Sequence, residues 1–185
     1  MFTRKEIFSI PNIMGYFRIL LIPVFMYIYI TASSTTDYYV AAGIVLISTF
    51  SDLLDGMVAR KFNMITELGK FVDPFADKLT HAALIVCLIT RYPLMWLLLA
   101  IFVVKEGFMA IMGLVMLKHN GKKLDGAEWF GKICTAVLFL SMFTMFLFPE
   151  MNTAFVYGLI YFCAAVMLIT LILYIPVFVR MYKES

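Results

Sequence analysis

The chain has 185 residues, of which 63% are hydrophobic and 15% are charged, and its mean hydropathy is +0.95. A soluble domain is nearer half apolar, so this composition excludes an ordinary soluble protein and predicts a single integral membrane domain, 1–185, built from several helices. The net charge of +3 gives no indication of a nucleic-acid partner. The three cysteines, Cys87, Cys134 and Cys163, fall inside apolar runs and are predicted to be reduced packing residues, because no spacing of cysteine and histidine indicates zinc.

Apolar runs and their breaks predict an all-α protein with six transmembrane helices. Residues 1–11 mix apolar and charged side chains and predict a short amphipathic helix on the membrane surface. Pro11 ends that segment, and Asn12 is predicted to be the N-cap of the first span. The spans are predicted at about 12–32, 38–60, 70–90, 94–117, 130–148 and 153–179.

Lysine and arginine are distributed asymmetrically between the two ends of these spans. If the N-terminus is cytoplasmic, then of the 15 Lys and Arg residues only Arg91 lies near the opposite side. Cytoplasmic loops of membrane proteins carry an excess of these residues. The pattern therefore predicts a multi-pass protein of the inner (plasma) membrane, with both termini and the stretch from Ser51 to Lys78 at the cytoplasmic face.

That stretch holds four aspartates in a chain that is otherwise mostly apolar: Asp52, Asp55, Asp73 and Asp77. The first two are three residues apart and the last two are four apart, so on helices each pair projects from one face. Carboxylates at a bilayer boundary are costly and mark functional sites that hold a cation. Because all the ligands are oxygens, the cation is predicted to be a hard ion such as Mg²⁺, Mn²⁺ or Ca²⁺.

Two such pairs on neighbouring helices could hold two ions that orient a diphosphate and stabilise charge on its oxygens. Gly56 and Gly69 would let the backbone approach a bulky polar ligand, and Arg60 suits contacts to phosphate. The residues alone therefore favour a metal-dependent phosphoryl-type transferase. The alternative from another class is a small cation transporter, but the acids lie at one boundary and Arg60 lies among them, which argues against conduction.

The stretch resembles the signature of the CDP-alcohol phosphatidyltransferase family, whose members also have six spans and cytoplasmic termini. Eight signature positions match within 26 residues: Asp52, Asp55, Gly56, Ala59, Arg60, Gly69, Asp73 and Asp77. The resemblance implies that the four aspartates bind two divalent cations, Mg²⁺ or Mn²⁺, and that Asp77 is also the general base. It implies that an acceptor hydroxyl attacks the phosphorus next to the lipid and releases CMP. It also implies that the protein is a homodimer. It further implies that CDP is bound by Asp52, Asp55, Gly56, Ala59, Arg60, Gly69 and Asp73.

The segments 10–23 (IPNIMGYFRILLIP), 73–78 (DPFADK) and 129–135 (WFGKICT) resemble one bacterial branch of that family. This branch makes phosphatidylglycerophosphate from CDP-diacylglycerol and glycerol 3-phosphate, and the cardiolipin synthases are related to it. The resemblance predicts an acceptor-binding set consisting of Asn12, Arg18, Lys78, Lys105 and Lys132.

Three positions depart from the branch. Lys105 precedes Glu106 where an arginine is usual, Gly113 stands where a further arginine is expected, and Cys134 replaces a second lysine. The loss of two cations weakens the case for an anionic acceptor. Glycerol 3-phosphate is the first hypothesis for the acceptor, and phosphatidylglycerol, which would make the protein a cardiolipin synthase, is the second. Inositol phosphate, serine and other alcohols stay open.

Overall fold

The computed structural model describes residues 9–61, 66, 68–121 and 126–183. In these ranges the chain forms helices and no strand, which confirms the all-α prediction. The predicted amphipathic helix falls largely on residues 1–8, which lie outside the described residues. The six helices are α1 (Ile10–Ile30), α2 (Thr35–Lys61), α3 (Gly69–Ile89), α4 (Met95–Asn120), α5 (Trp129–Leu147) and α6 (Thr153–Lys183).

Hydropathy separates these helices into two groups. Within the described ranges, four segments are long and apolar enough to cross a membrane: Pro11–Ile30, Met95–His119, Trp129–Leu147 and Thr153–Lys183. About 20 apolar residues are needed for a span. The other two helices, α2 and α3, have 27 and 21 residues and carry the aspartates. Both are long enough to cross a membrane, and they bear the candidate site.

The start of α1 differs from the prediction. Ser9 is the N-cap residue, and the Ile13 amide donates to its carbonyl at 3.0 Å. Pro11 thus lies in the first turn, where its missing N–H costs little. The prediction that Asn12 is the N-cap is wrong, because Asn12 is inside the helix, is fully buried and bonds to a residue of the connection before α3.

The turn between α1 and α2 is closed by a reciprocal cap. The Asp37 carboxylate accepts hydrogen bonds from the Ser33 and Ser34 amides, both at 2.9 Å, and the Asp37 amide donates to Ser34 Oγ at 3.4 Å. This arrangement satisfies N–H groups that a helix leaves without partners at its first turn. The bonds from Ser33 and then Ser34 lower the pKa of Asp37 below its ordinary value.

The chain divides into two compact units. The first comprises Met1–Thr90 with Phe146–Pro149, and in it α1 packs against both α2 and α3. In the second half of α1 the packing is aromatic, because the Tyr29 ring stacks on Phe146 with 4.0 Å between centroids. After Pro11, the buried positions of α1 recur every three or four residues and are Asn12, Gly15, Arg18, Ile22, Phe25 and Tyr29. The first half of this stripe therefore presents polar groups to α2 and α3.

The second unit comprises Arg91–Met145 with Glu150–Ser185, and in it α4 packs against α6. Its buried centre is formed by Met116, Tyr174 and Phe178. A Cβ on Gly131, at the start of α5, would collide with the Tyr174 hydroxyl, so the glycine lets the Tyr174 side chain lie directly against the backbone of α5. All three cysteines are buried and free, which confirms their predicted role in packing.

Candidate functional site

A buried arginine lies among three of the predicted site aspartates. The Arg18 side chain comes from α1 and is 3% exposed. Its Nη1 donates to Asp52 Oδ1 on α2 and to Asp77 Oδ1 on α3, the latter at 2.9 Å. Its Nη2 lies 3.6 Å from Asp73 Oδ1, which is an ion-pair distance. One guanidinium thus connects all three helices of the first unit through carboxylates that are 34 to 59 residues away in sequence.

The aspartates are far more accessible than the arginine that holds them. The side chains of Asp52, Asp73 and Asp77 are 35%, 42% and 48% exposed. Each contact to Arg18 uses one oxygen, Oδ1, of a carboxylate that has two. Arg18 is therefore the buried member of the cluster, and the carboxylates around it are accessible to ligands from solvent.

The cluster carries a formal excess of negative charge. Three carboxylates surround one guanidinium, and ionised carboxylates this close raise one another's energy unless cations are added. Among the described side chains there is no group of three candidate metal ligands. The cation found between the three Oδ1 atoms is Arg18. The donor chemistry nevertheless suits a hard divalent ion, since every charged ligand is a carboxylate oxygen and each is partly exposed.

A second polar contact joins α1 to the start of α3. The Thr66 hydroxyl donates to Asn12 Oδ1 at 3.1 Å and accepts from the Gly69 amide at 2.9 Å. A Cβ on Gly69 would lie 2.7 Å from Asn12 Oδ1 and 3.0 Å from Thr66 Oγ1. A larger residue at 69 would therefore force one of these two side chains or the start of α3 to shift. We name this arrangement of Asn12, Thr66 and Gly69 the amide latch.

Glycine also governs the approach of α1 to the aspartates. A Cβ on Gly15 would lie 3.0 Å from Val72 Cγ1 and 3.5 Å from Asp73 Oδ1. Gly15 is three residues from both Asn12 and Arg18, so all three share one face of α1. Its role in the site was not predicted, although its spacing from those two polar residues is the signal that could have revealed it.

Several predicted site residues are only partly described. Asp55, Ala59 and Arg60 belong to α2, but their side chains lie outside the described part of the structure. Gly56 is half-buried in α2, and Lys78 is exposed on α3. One turn after Asp77, His81 is buried and its Nδ1 lies 2.7 Å from the Asp77 carbonyl, a contact within α3.

The remaining acceptor candidates lie in the second unit. Lys105 is 8% exposed, and its Nζ is 2.6 Å from Glu106 Oε1 on the same helix. Lys132 is exposed in the first turn of α5. Of the predicted acceptor residues, Arg18 therefore lies among the aspartates and Asn12 lies in the amide latch. Lys105 is paired with Glu106, the next residue of α4.

Comparison with known proteins identifies the family. The sequence model of the family described as CDP-alcohol phosphatidyltransferase matches residues 8–179. The chain belongs to this family. The chain is therefore a membrane phosphatidyltransferase, and the alternative of a cation transporter is not supported.

The names of individual relatives also describe a phosphatidyltransferase. A protein of Shigella flexneri serotype 5b named CDP-diacylglycerol–glycerol-3-phosphate 3-phosphatidyltransferase is 28% identical over 162 residues, which cover 86% of this chain and 88% of the relative. The protein of the same name from Escherichia coli K12 is 27% identical over the same length and coverage. Members of the family use divalent cations, as the carboxylate donors of the Arg18 cluster permit.

Proposed function

We propose that this phosphatidyltransferase transfers the phosphatidyl group of CDP-diacylglycerol to glycerol 3-phosphate, giving phosphatidylglycerophosphate and CMP. The observation that carries the proposal is the convergence of Asp52, Asp73 and Asp77, from two helices, on one buried arginine. The names of the two relatives support the choice of acceptor.

In the proposed reaction the acceptor hydroxyl oxygen forms a bond to the phosphorus that carries diacylglycerol. The bond from that phosphorus to the oxygen bridging the two phosphates breaks, and CMP leaves with the bridging oxygen. Asp77 takes the proton of the hydroxyl as general base. This role suits Asp77 because its side chain is 48% exposed and Oδ1 is the oxygen that contacts Arg18.

We assign binding of two divalent cations, Mg²⁺ or Mn²⁺, to Asp52, Asp55, Asp73 and Asp77. The cations would supply positive charge to the diphosphate as negative charge develops on its oxygens. The same aspartates, other than Asp77, are proposed to bind CDP together with Gly56, Ala59, Arg60 and Gly69. For Gly69 the support is indirect: it lets the amide latch close and so places the start of α3, which carries Asp73 and Asp77.

We propose Asn12, Lys78, Lys105 and Lys132 as the acceptor-binding set. Arg18, the fifth residue that the family resemblance implies, is buried among the aspartates. Phosphatidylglycerol is the second candidate acceptor, which would make the protein a cardiolipin synthase. One observation favours that alternative. The charge of Lys105 is already matched by Glu106 at 2.6 Å, which leaves less positive charge for an anionic acceptor.

We propose the following arrangement in the membrane. All six helices span the inner (plasma) membrane as one domain, both termini and the active site are cytoplasmic, and the protein is a homodimer among membrane lipids. The asymmetric distribution of lysine and arginine supports this orientation. It would place the aspartates where a soluble phosphate ester and a lipid of the inner leaflet can both reach them.

The test is release of CMP by the purified full chain in detergent, with CDP-diacylglycerol and Mg²⁺ or Mn²⁺. Glycerol 3-phosphate and phosphatidylglycerol are compared as acceptors. We expect release to be stimulated by glycerol 3-phosphate. Stimulation by phosphatidylglycerol alone would overturn the proposed acceptor in favour of cardiolipin synthesis, and stimulation by neither would overturn both.

A further inference from the structure

Arg18 is a permanently charged side chain that the fold places away from water. Its side chain is 3% exposed, while the three carboxylates around it are at least 35% exposed. A buried guanidinium is tolerated only when paired charges and hydrogen bonds offset the cost of removing it from water. Here its partners come from both of the helices that carry the signature. The Arg18 side chain therefore joins α1 to both of those helices.

We propose that Arg18 is a positioning residue, an internal counter-ion that aligns Asp52, Asp73 and Asp77 across α2 and α3 and weakens their attraction for divalent cations. The inference rests on the proposed function, because it assumes that these aspartates hold the cations. It differs from binding of the acceptor, the role that the sequence resemblance implies for Arg18.

The electrostatic argument follows from a count of formal charges. With Arg18, the three carboxylates carry a sum of −2; with a neutral side chain at 18 they would carry −3. A divalent cation would then meet more negative charge and no competing guanidinium, so it should bind at lower concentration. Without any divalent cation the three carboxylates would repel one another more strongly, so α2 and α3 would be held together less well.

The position of Arg18 on α1 also supports a role in aligning the aspartates. Gly15 and the amide latch bring α1 close to the start of α3, and Arg18 lies one turn further along the same face of α1. Its Nη1 reaches carboxylates on both α2 and α3 at once. An ammonium group is a compact point charge and does not reproduce the planar fork of a guanidinium. Charge and geometry can therefore be separated by comparing lysine with glutamine at this position.

The experiment uses the full chain in detergent and four proteins: wild type, R18Q, R18K and K105Q. Lys105 is the matched control, because it is also buried and ion-paired but lies in the other unit against an adjacent glutamate. Thermal unfolding is measured in EDTA and in Mg²⁺. The Mg²⁺ concentration that gives half-maximal CMP release, and kcat at saturating Mg²⁺, are measured separately.

We expect R18Q to unfold at a lower temperature than wild type in EDTA and to recover more of that loss in Mg²⁺ than wild type gains. Its half-saturating Mg²⁺ should fall about fivefold, which corresponds to about 1 kcal/mol of cation binding. Its kcat should fall about 10- to 100-fold, because the carboxylates are no longer held in their reactive positions. R18K should keep a half-saturating Mg²⁺ within about twofold of wild type while still losing kcat.

Two results would overturn the proposal. If R18Q and K105Q lose stability equally in EDTA and in Mg²⁺, Arg18 is only a structural residue. If R18Q raises the KM for the acceptor while its half-saturating Mg²⁺ is unchanged, Arg18 binds the acceptor instead. If wild type releases no CMP with any acceptor, the proposed function fails, but the unfolding measurements still test the counter-ion.

A double variant keeps the inference testable if R18Q folds poorly. R18Q/D52N removes one charge of each sign, so it should unfold in EDTA at a higher temperature than R18Q, although D52N alone should unfold below wild type. Such a cycle isolates the coupling between the two side chains. A double variant less stable than R18Q would contradict the role of Arg18 as counter-ion to Asp52.

Discussion

The two units each contain a buried cation, and the two cations are used in different ways. Arg18 contacts carboxylates 34, 55 and 59 residues further along the chain and so joins three helices. Lys105 contacts Glu106, its neighbour on α4. This pair joins adjacent residues of one apolar helix, so each charge is matched by a sequence neighbour. A long-range network aligns the elements that it connects.

The comparison of the Arg18 cluster with the Lys105–Glu106 pair indicates which charged residues of this enzyme are available to bind ligands. Around Arg18 the carboxylates outnumber the cation and are partly exposed, so the cluster retains charge for ligands. At Lys105 the charges are equal in number, and both side chains are mostly buried. Substitutions in the Arg18 cluster should therefore change the reaction, and substitutions in the Lys105–Glu106 pair should change acceptor binding or stability.

The largest expected effect is a loss of kcat in the variant D77N. Loss of the general base should lower kcat about 10²- to 10⁴-fold while leaving the affinity for CDP-diacylglycerol within a few-fold of wild type. Rates of CMP release and direct binding of the lipid nucleotide measure the two quantities. The matched control is E106Q, the corresponding loss of charge in the second unit, which should lower kcat far less. Full activity of D77N would remove Asp77 from the mechanism.

The next effect is expected from G69A. The added Cβ would lie 2.7 Å from Asn12 Oδ1, so the amide latch must open or the start of α3 must shift. We expect a loss of about 1–3 kcal/mol in stability, together with at least about a tenfold loss of kcat because Asp73 and Asp77 move with α3.

Gly43 on α2 is the control for G69A, since a Cβ there meets no atom within 4 Å. G43A should change stability by less than about 1 kcal/mol. Thermal unfolding and CMP release are measured for both variants. Equal behaviour of G69A and G43A would show that the latch has no influence on the aspartates.

A smaller and more selective effect is expected from K105Q. If Lys105 binds glycerol 3-phosphate, the KM for that acceptor should rise about tenfold, or about 1.4 kcal/mol. The half-saturating Mg²⁺ should stay at its wild-type value, in contrast to R18Q. Steady-state kinetics with each substrate varied in turn distinguish the two. An unchanged KM together with lower stability would make the Lys105–Glu106 pair structural and would strengthen the case for a lipid acceptor.

The smallest effect is expected at the polar turn between α1 and α2. The pKa of Asp37 is lowered from 3.8 by hydrogen bonds from the Ser33 and Ser34 amides, so the ionised form stabilises the folded protein. That contribution is complete above the ordinary pKa and is lost as the pH falls through the lowered one. Wild type should therefore unfold at a slightly higher temperature than D37N at neutral pH, and the difference should vanish once the pH has fallen through the lowered pKa of Asp37. A difference independent of pH would show that the charge of Asp37 is not involved.

Much of the fold follows from local sequence. Apolar runs broken by proline, glycine and polar loops predict six helices, because a helix needs only its own residues to satisfy its backbone. The spacing of Asp52 with Asp55 and of Asp73 with Asp77 places each pair on one face for the same local reason. The family resemblance of this stretch was also visible in sequence, and the family comparison bears it out.

Tertiary structure decided which residues meet. Asn12 looks like a helix cap in sequence, yet it bonds to Thr66, and Arg18 resembles an acceptor-binding residue, yet it lies among the aspartates. Helical periodicity determines the face on which a side chain lies but not the helix that packs against that face. The sequence by itself therefore determined the helices, the membrane class and the acidic signature. Only the packing of α1 against α2 and α3 decided that a buried guanidinium would hold that signature together, because a counter-ion is selected by distance in space and not by position in the chain.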